Sequence, residues 1–173
     1  LHADHVGWNI TYEDGVARPT FTKAKYLVPR ADWEHFIQAN ILSLPQNEHI
    51  RDHVAPLEQL GVMELVEGGQ IITSEISTLH TPGHTPGHQC ILIDSQGQRG
   101  VVVGDVIHMS VQIEHSDWCA GVDLDKPTGQ KSREDLLDQS EREGLLIVAG
   151  HFKVNEHFGR VARLEGRRYW QVI

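Results

Sequence analysis

The chain is short of cysteine, methionine, aromatic residues and positive charge, and it has no long apolar run. Only two cysteines occur among its 173 residues, Cys90 and Cys119. They lie far apart with no CxxC spacing, which argues against a disulfide framework and against a thiolate zinc site. They read as small, mostly buried residues. No stretch approaches the roughly 18 apolar residues that a membrane-spanning helix needs. Lysine and arginine together number 15 against 24 acidic residues, a formal net charge of −9. Nucleic acid and anionic membrane surfaces call for a basic patch, so neither is expected as a partner. The densest basic group, Arg163, Arg167 and Arg168, falls in an expected terminal hairpin. No leader segment is visible, and a cytoplasmic location is the default expectation.

Histidine is what the chain has in abundance, twelve in all, and imidazole is the commonest metal-ligating side chain. The places of these histidines in the expected elements therefore carry the functional reading. Residues 25–28 read as a strand after a polar loop. Residues 31–44 have apolar side chains at helical spacing and end at Pro45. Residues 48–60 form a second helical stretch, broken or restarted at Pro56. Residues 63–66 and 70–73 flank Gly68-Gly69, a hairpin cue. Residues 76–80, 89–94, 100–103 and 145–149 read as further strands. Residues 133–143 form a charged helix with Leu136 and Leu137 inward, and 160–165 with 168–172 form a last hairpin. Mixed strand and helix order points to an α/β protein with helix-covered sheets, one domain over 1–173.

Candidate ligands fall at strand ends. His2, Asp4 and His5 form an HxDH string in a loop. Imidazole with carboxylate suits zinc and its first-row relatives rather than calcium or magnesium. By itself this string is a weak signal, since two histidines on a surface loop are common. His84 and His88 belong to TPGHTPGH, where two Pro-Gly pairs stiffen the backbone. Asp105 closes VVVGD and His151 closes LLIVAGH. Each of these alone is ordinary, but several strand ends converging on one sheet edge is how sites are built on rigid scaffolds.

Taken in this order, the motifs resemble those of the metallo-β-lactamase-fold hydrolases. The family loop HxHxDH is matched from its second histidine onward by His2, Asp4 and His5. The following VGWN, Val6 to Asn9, is similar to the lactonase and organophosphate-hydrolase branch. TPGHTPGH, the GD at Asp105 and the late GHF continue the match. The resemblance implies an αββα sandwich. It places one more histidine two residues ahead of His2, with strands before it, so the 173 residues are expected to be the C-terminal portion of a longer protein.

The resemblance also implies roles. His2 and His84 with the additional histidine would hold one divalent metal, and Asp4, His5 and His151 a second, with Asp105 bridging. Zinc is expected, with manganese, iron and cobalt left open. A hydroxide shared by the two metals would attack an ester-like bond of a small-molecule substrate, a lactone by preference. Phosphotriester, thioester and β-lactam hydrolysis are the enzymatic alternatives, and a non-catalytic metal-binding module is the alternative of another kind. Asp4 would help carry a proton to the leaving group. His108, three residues past Asp105 where many family lactonases have tyrosine, would act as a hydrogen-bond or proton donor, or else be a bystander. His88 is expected to support a ligand rather than to be one. Trp8 is expected to pack beneath the metal loop. Self-association is left open.

Overall fold

A computed structural model describes all residues, Leu1–Ile173. The chain divides into two compact units, Leu1–Glu67 and Gly68–Ile173.

The first unit opens with a single helical turn, α1 (Ala3–Val6), which buries Val6 and leaves Asp4 and His5 exposed. β1 (Ile10–Glu13) and β2 (Val16–Pro19) then form an antiparallel hairpin. This hairpin lies in what the sequence presented as polar loop. Its signal was Asp14-Gly15, both of which take positive φ (51° and 76°), as a two-residue turn between twisted strands requires. β3 (Tyr26–Pro29) leads into α2 (Arg30–Phe36) and α3 (Ala39–Leu42), so the helix expected over 31–44 is interrupted. Gln38 leaves helical geometry at ψ 130°. The apolar spacing still holds across the break because Phe36, Ile37, Ile41 and Leu42 join one cluster. α4 (Glu48–His53) and α5 (Ala55–Gln59) follow, divided just ahead of Pro56.

β4 (Met63–Val66) pairs in parallel with β3. The hairpin expected across Gly68-Gly69 does not form, and residues 70–73 are not a strand. A Cβ at Gly68 would lie 2.3 Å from the Cβ of His80. The chain runs closely back along the next strand, and Gln70 is tied to Thr78 at both its N–H and its carbonyl.

The second unit is a six-stranded mixed sheet. Its strands are β5 (Ile76–His80), β6 (Gln89–Ser95), β7 (Gln98–Val102), β8 (Leu146–Val148), β9 (Phe158–Leu164) and β10 (Arg167–Val172), in spatial order β10-β9-β8-β7-β6-β5. All neighbours are antiparallel except β7 and β8. β5, β7 and β8 therefore run the same way and end at the same edge. The crossover from β7 to β8 contains α6 (Lys126–Glu143), longer at its start than the helix expected over 133–143. Asp125 caps it by accepting the Thr128 N–H, and Gly144 closes it at φ 62°. Leu136 and Leu137 of α6 are buried with Val101, Val103 and Ile147 of the sheet region. Each such side chain stabilises the fold by about 1.5–3 kcal/mol on burial.

Candidate metal centre

The shared edge of β5, β7 and β8 is where the loops carrying His84, Asp105 and His151 emerge. Functional groups concentrate at the carboxyl ends of parallel strands in such sheets.

His84 sits in the stiff turn 81–88, held by Thr81 N–H to the His88 carbonyl and by Gly83 N–H to that of Thr85. Its side chain is 3% exposed. Nε2 lies 3.0 Å from Oδ2 of Asp105, and Nδ1 lies 3.0 Å from Oδ1 of Asp123. Burial lowers the pKa of His84, but the two carboxylates more than offset this, and the pKa stands above its ordinary value. The Asp123 contact keeps a proton on Nδ1, so Nε2 is the nitrogen that can offer a lone pair.

Asp105 follows Gly104 directly past β7. Its second oxygen, Oδ1, lies 2.8 Å from Nε2 of His151. Each carboxylate oxygen thus faces a different imidazole. The Asp105 N–H donates to Nε2 of His88 at 2.9 Å, and Nδ1 of His88 meets the Thr81 hydroxyl at 2.8 Å. Both ring nitrogens of His88 are thereby engaged in holding the loops.

His108 stands between the two other histidines. Its ring centroid is 5.0 Å from that of His84 and 5.4 Å from that of His151, nearly parallel to the latter at 24°. Its Nδ1 is buried with no hydrogen-bond partner. Burial lowers its pKa below the ordinary value, against the opposing pull of the Asp105 carboxylate. Its backbone N–H donates to Oε1 of Gln112.

His2, Asp4 and His5 lie in the first unit. His2 stands at the residue before α1, with its ring edge-on to Phe36, and Oδ2 of Asp4 is 3.5 Å from Nε2 of His5. The second unit brings together His84, Asp105, His108 and His151. Trp8, expected to pack under the loop, is 80% exposed instead. It follows the one-turn helix α1, whose buried side chain is Val6.

Two residues of this site carry no motif in the sequence. Asp123 lies in a loop without any motif. Arg133 has a signal in its helical spacing. With Gly129, Leu136, Leu137 and Ser140 it lies on the buried stripe of α6, and a lone charge on such a stripe needs a partner.

Imidazole and carboxylate donors, with one carboxylate presenting its two oxygens to two imidazoles, suit zinc-like cations. Asp105 has the disposition of a bridging carboxylate, so the residues fit such a group. The fold and these donors define the class: an α/β protein with a candidate metal centre at one sheet edge. The chain belongs to the Metallo-beta-lactamase superfamily, whose profile matches residues 1–151. It is 26% identical over 152 residues to an N-acyl homoserine lactonase of a Bacillus species, and 25% identical to one of Bacillus thuringiensis. Both matches take in 87% of this chain and 52% of the relative, so the chain spans about half the length of these curated relatives. Among solved structures, the hydrolase AbOPH of the beta lactamase superfamily is similar at a TM-score of 0.85 and 24% identity, over 100% of this chain and 62% of that one. The dizinc quorum-quenching lactonase AidC is similar at 0.72 and 20% identity, over 90% and 57%. These likenesses show the shared mixed α/β fold.

Proposed function

We propose that this protein is a metal-dependent hydrolase with a two-metal centre, acting on an ester-like bond and preferring lactones. The observation that carries the reading is Asp105, whose two oxygens each face a different strand-end imidazole in a chain of this superfamily. The lactone is favoured because the relatives quoted above are N-acyl homoserine lactonases. Following the family pattern, His2 and His84 would help hold one metal, Asp4, His5 and His151 the other, and Asp105 would serve both. When bound, two divalent cations, zinc foremost, lower the pKa of a water toward about 7 and polarise the scissile carbonyl.

The chain's own residues supply the rest. His84 is locked in one tautomer by Asp123, so its donor atom needs no reorientation. Asp105 is fixed through its backbone by His88. Asp4, exposed on α1, has room to accept a proton and pass it to the leaving group. His108, whose ring stands between those of His84 and His151, can donate a hydrogen bond to the developing oxyanion.

The test is metal analysis of the purified protein together with a hydrolysis panel of N-acyl homoserine lactone, aryl ester, phosphotriester, thioester and β-lactam, each also run on His84→Ala. The expected result is about two metals per chain and lactone turnover that His84→Ala abolishes. Bound metal with no turnover on any substrate would identify a non-catalytic metal-binding module. Absence of bound metal would overturn the reading entirely.

A further inference from the structure

Arg133 is 1% exposed, on the inward stripe of α6. Its guanidinium reaches two stretches of the connection between β7 and α6. Nε donates to the Val106 carbonyl at 2.8 Å, and Nη1 to those of Ser116 (2.5 Å) and Trp118 (3.2 Å). Nη2 lies 3.6 Å from Oδ2 of Asp123, which also accepts the Ala120 N–H at 2.9 Å. The other Asp123 oxygen holds Nδ1 of His84. Val106 is the residue directly after Asp105. A single side chain therefore touches both the peptide that follows one candidate ligand and the carboxylate that orients another.

A helix that merely packs on the sheet has no use for a charge at this position, as its neighbours Leu136 and Leu137 show. A guanidinium withdrawn from water is costly unless it is paired and its donors are satisfied. Here the planar fork meets carbonyls on one side and a carboxylate on the other. A lysine ammonium is a single point charge and cannot span that set.

We propose that Asp123 and Arg133 are positioning residues that fix His84 against Asp105, so that the pair is preset to take a cation. The inference rests on the metal-centre reading above. Asp123 sets the tautomer and the ring plane of His84. Arg133 neutralises Asp123 and clamps the loop that presents Asp105.

Asp123→Asn and Arg133→Lys, with His84→Ala as control, are prepared metal-free in the same protein. Thermal melting and circular dichroism report the fold. Zinc competition against a chromophoric chelator reports affinity, and the visible spectrum of the cobalt(II)-loaded protein reports coordination. Asp123→Asn keeps the shape of the side chain and is expected to fold. It should bind zinc about 10- to 100-fold more weakly and shift the cobalt bands. Folded Arg133→Lys should do the same. If both fold and bind within about twofold of the parent with unchanged cobalt spectra, their roles are structural and the proposal is wrong. Weakening in Asp123→Asn alone would overturn the part assigned to Arg133. Should Arg133→Lys not fold, Asp123→Asn decides the matter by the same criterion. A parent protein that takes up no cation would instead overturn the metal-centre reading, which separates the two failures.

Discussion

Gly83 and Gly129 meet backbone to backbone, where the first turn of α6 lies on the loop that carries His84. A Cβ built on Gly83 would stand 2.1 Å from the Gly129 nitrogen, and Gly83 has φ 129°, a conformation that residues with a Cβ rarely adopt. The contact is not symmetric. A Cβ on Gly129 would meet Gly83 at an ordinary 3.6 Å. Gly83→Ala should therefore destabilise the fold by more than about 3 kcal/mol, from strain and overpacking together. Gly129→Ala should be neutral or stabilise by up to about 1 kcal/mol, since it lies inside a helix. Denaturant unfolding of the two variants checks this, and equal losses would contradict the asymmetry.

Asp105→Asn should lower hydrolysis by about 10²-fold or more while leaving the melting profile cooperative. An amide lacks the charge that faces two imidazoles and cannot present two equivalent oxygens. Parental turnover in the metal-loaded variant would remove Asp105 from its proposed role.

His108→Phe should reduce turnover on the order of 10²-fold with metal content unchanged. Nδ1 of His108 is buried without a partner, so its loss leaves no other group unsatisfied, and stability should hold or rise slightly. Comparison of kcat with metal per chain and with Tm decides. Full activity would make His108 a bystander.

Glu141 accepts hydrogen bonds from Arg163 and also from Arg168, joining α6 to the β9–β10 hairpin. The Arg163 contact foremost lowers its pKa from 4.5 to about 2. The resulting stabilisation is present above pH 4.5 and fades as pH falls toward 2. Because the arginines are solvent-screened, it amounts to about 1 kcal/mol or less. Glu141→Gln should melt about 2–4 °C lower at pH 7, and the gap from the parent should narrow between pH 5 and pH 3. A gap independent of pH would assign the loss to packing.

The strands and ligands that were legible in the sequence share a property. VVVGD and LLIVAGH are continuous apolar runs with a polar residue at their ends, one face buried and the other half-buried, and such uninterrupted runs are readable as inner strands. TPGHTPGH was legible because proline and glycine restrict the backbone locally. What stayed hidden depended on partners distant in sequence. β4 was visible as a strand, but its parallel pairing with β3 was not, because the glycines after it imitate a hairpin turn. Asp123 has meaning only beside His84, 39 residues away. Arg133 looked like one more charge on a charged helix, although its neighbours at helical spacing are buried.

The parallel pairing of β7 with β8 also has a consequence in time. Asp105, His108, Asp123 and Arg133 all lie on the chain between those two strands. β8 can dock only after that whole connection has been closed, and such long-range closure is slow compared with forming a hairpin or helix. His151 follows β8, so it arrives opposite Asp105 last. During refolding, helical structure should therefore appear well before the capacity to capture zinc, and the delay between the two signals would time the closing of the sheet.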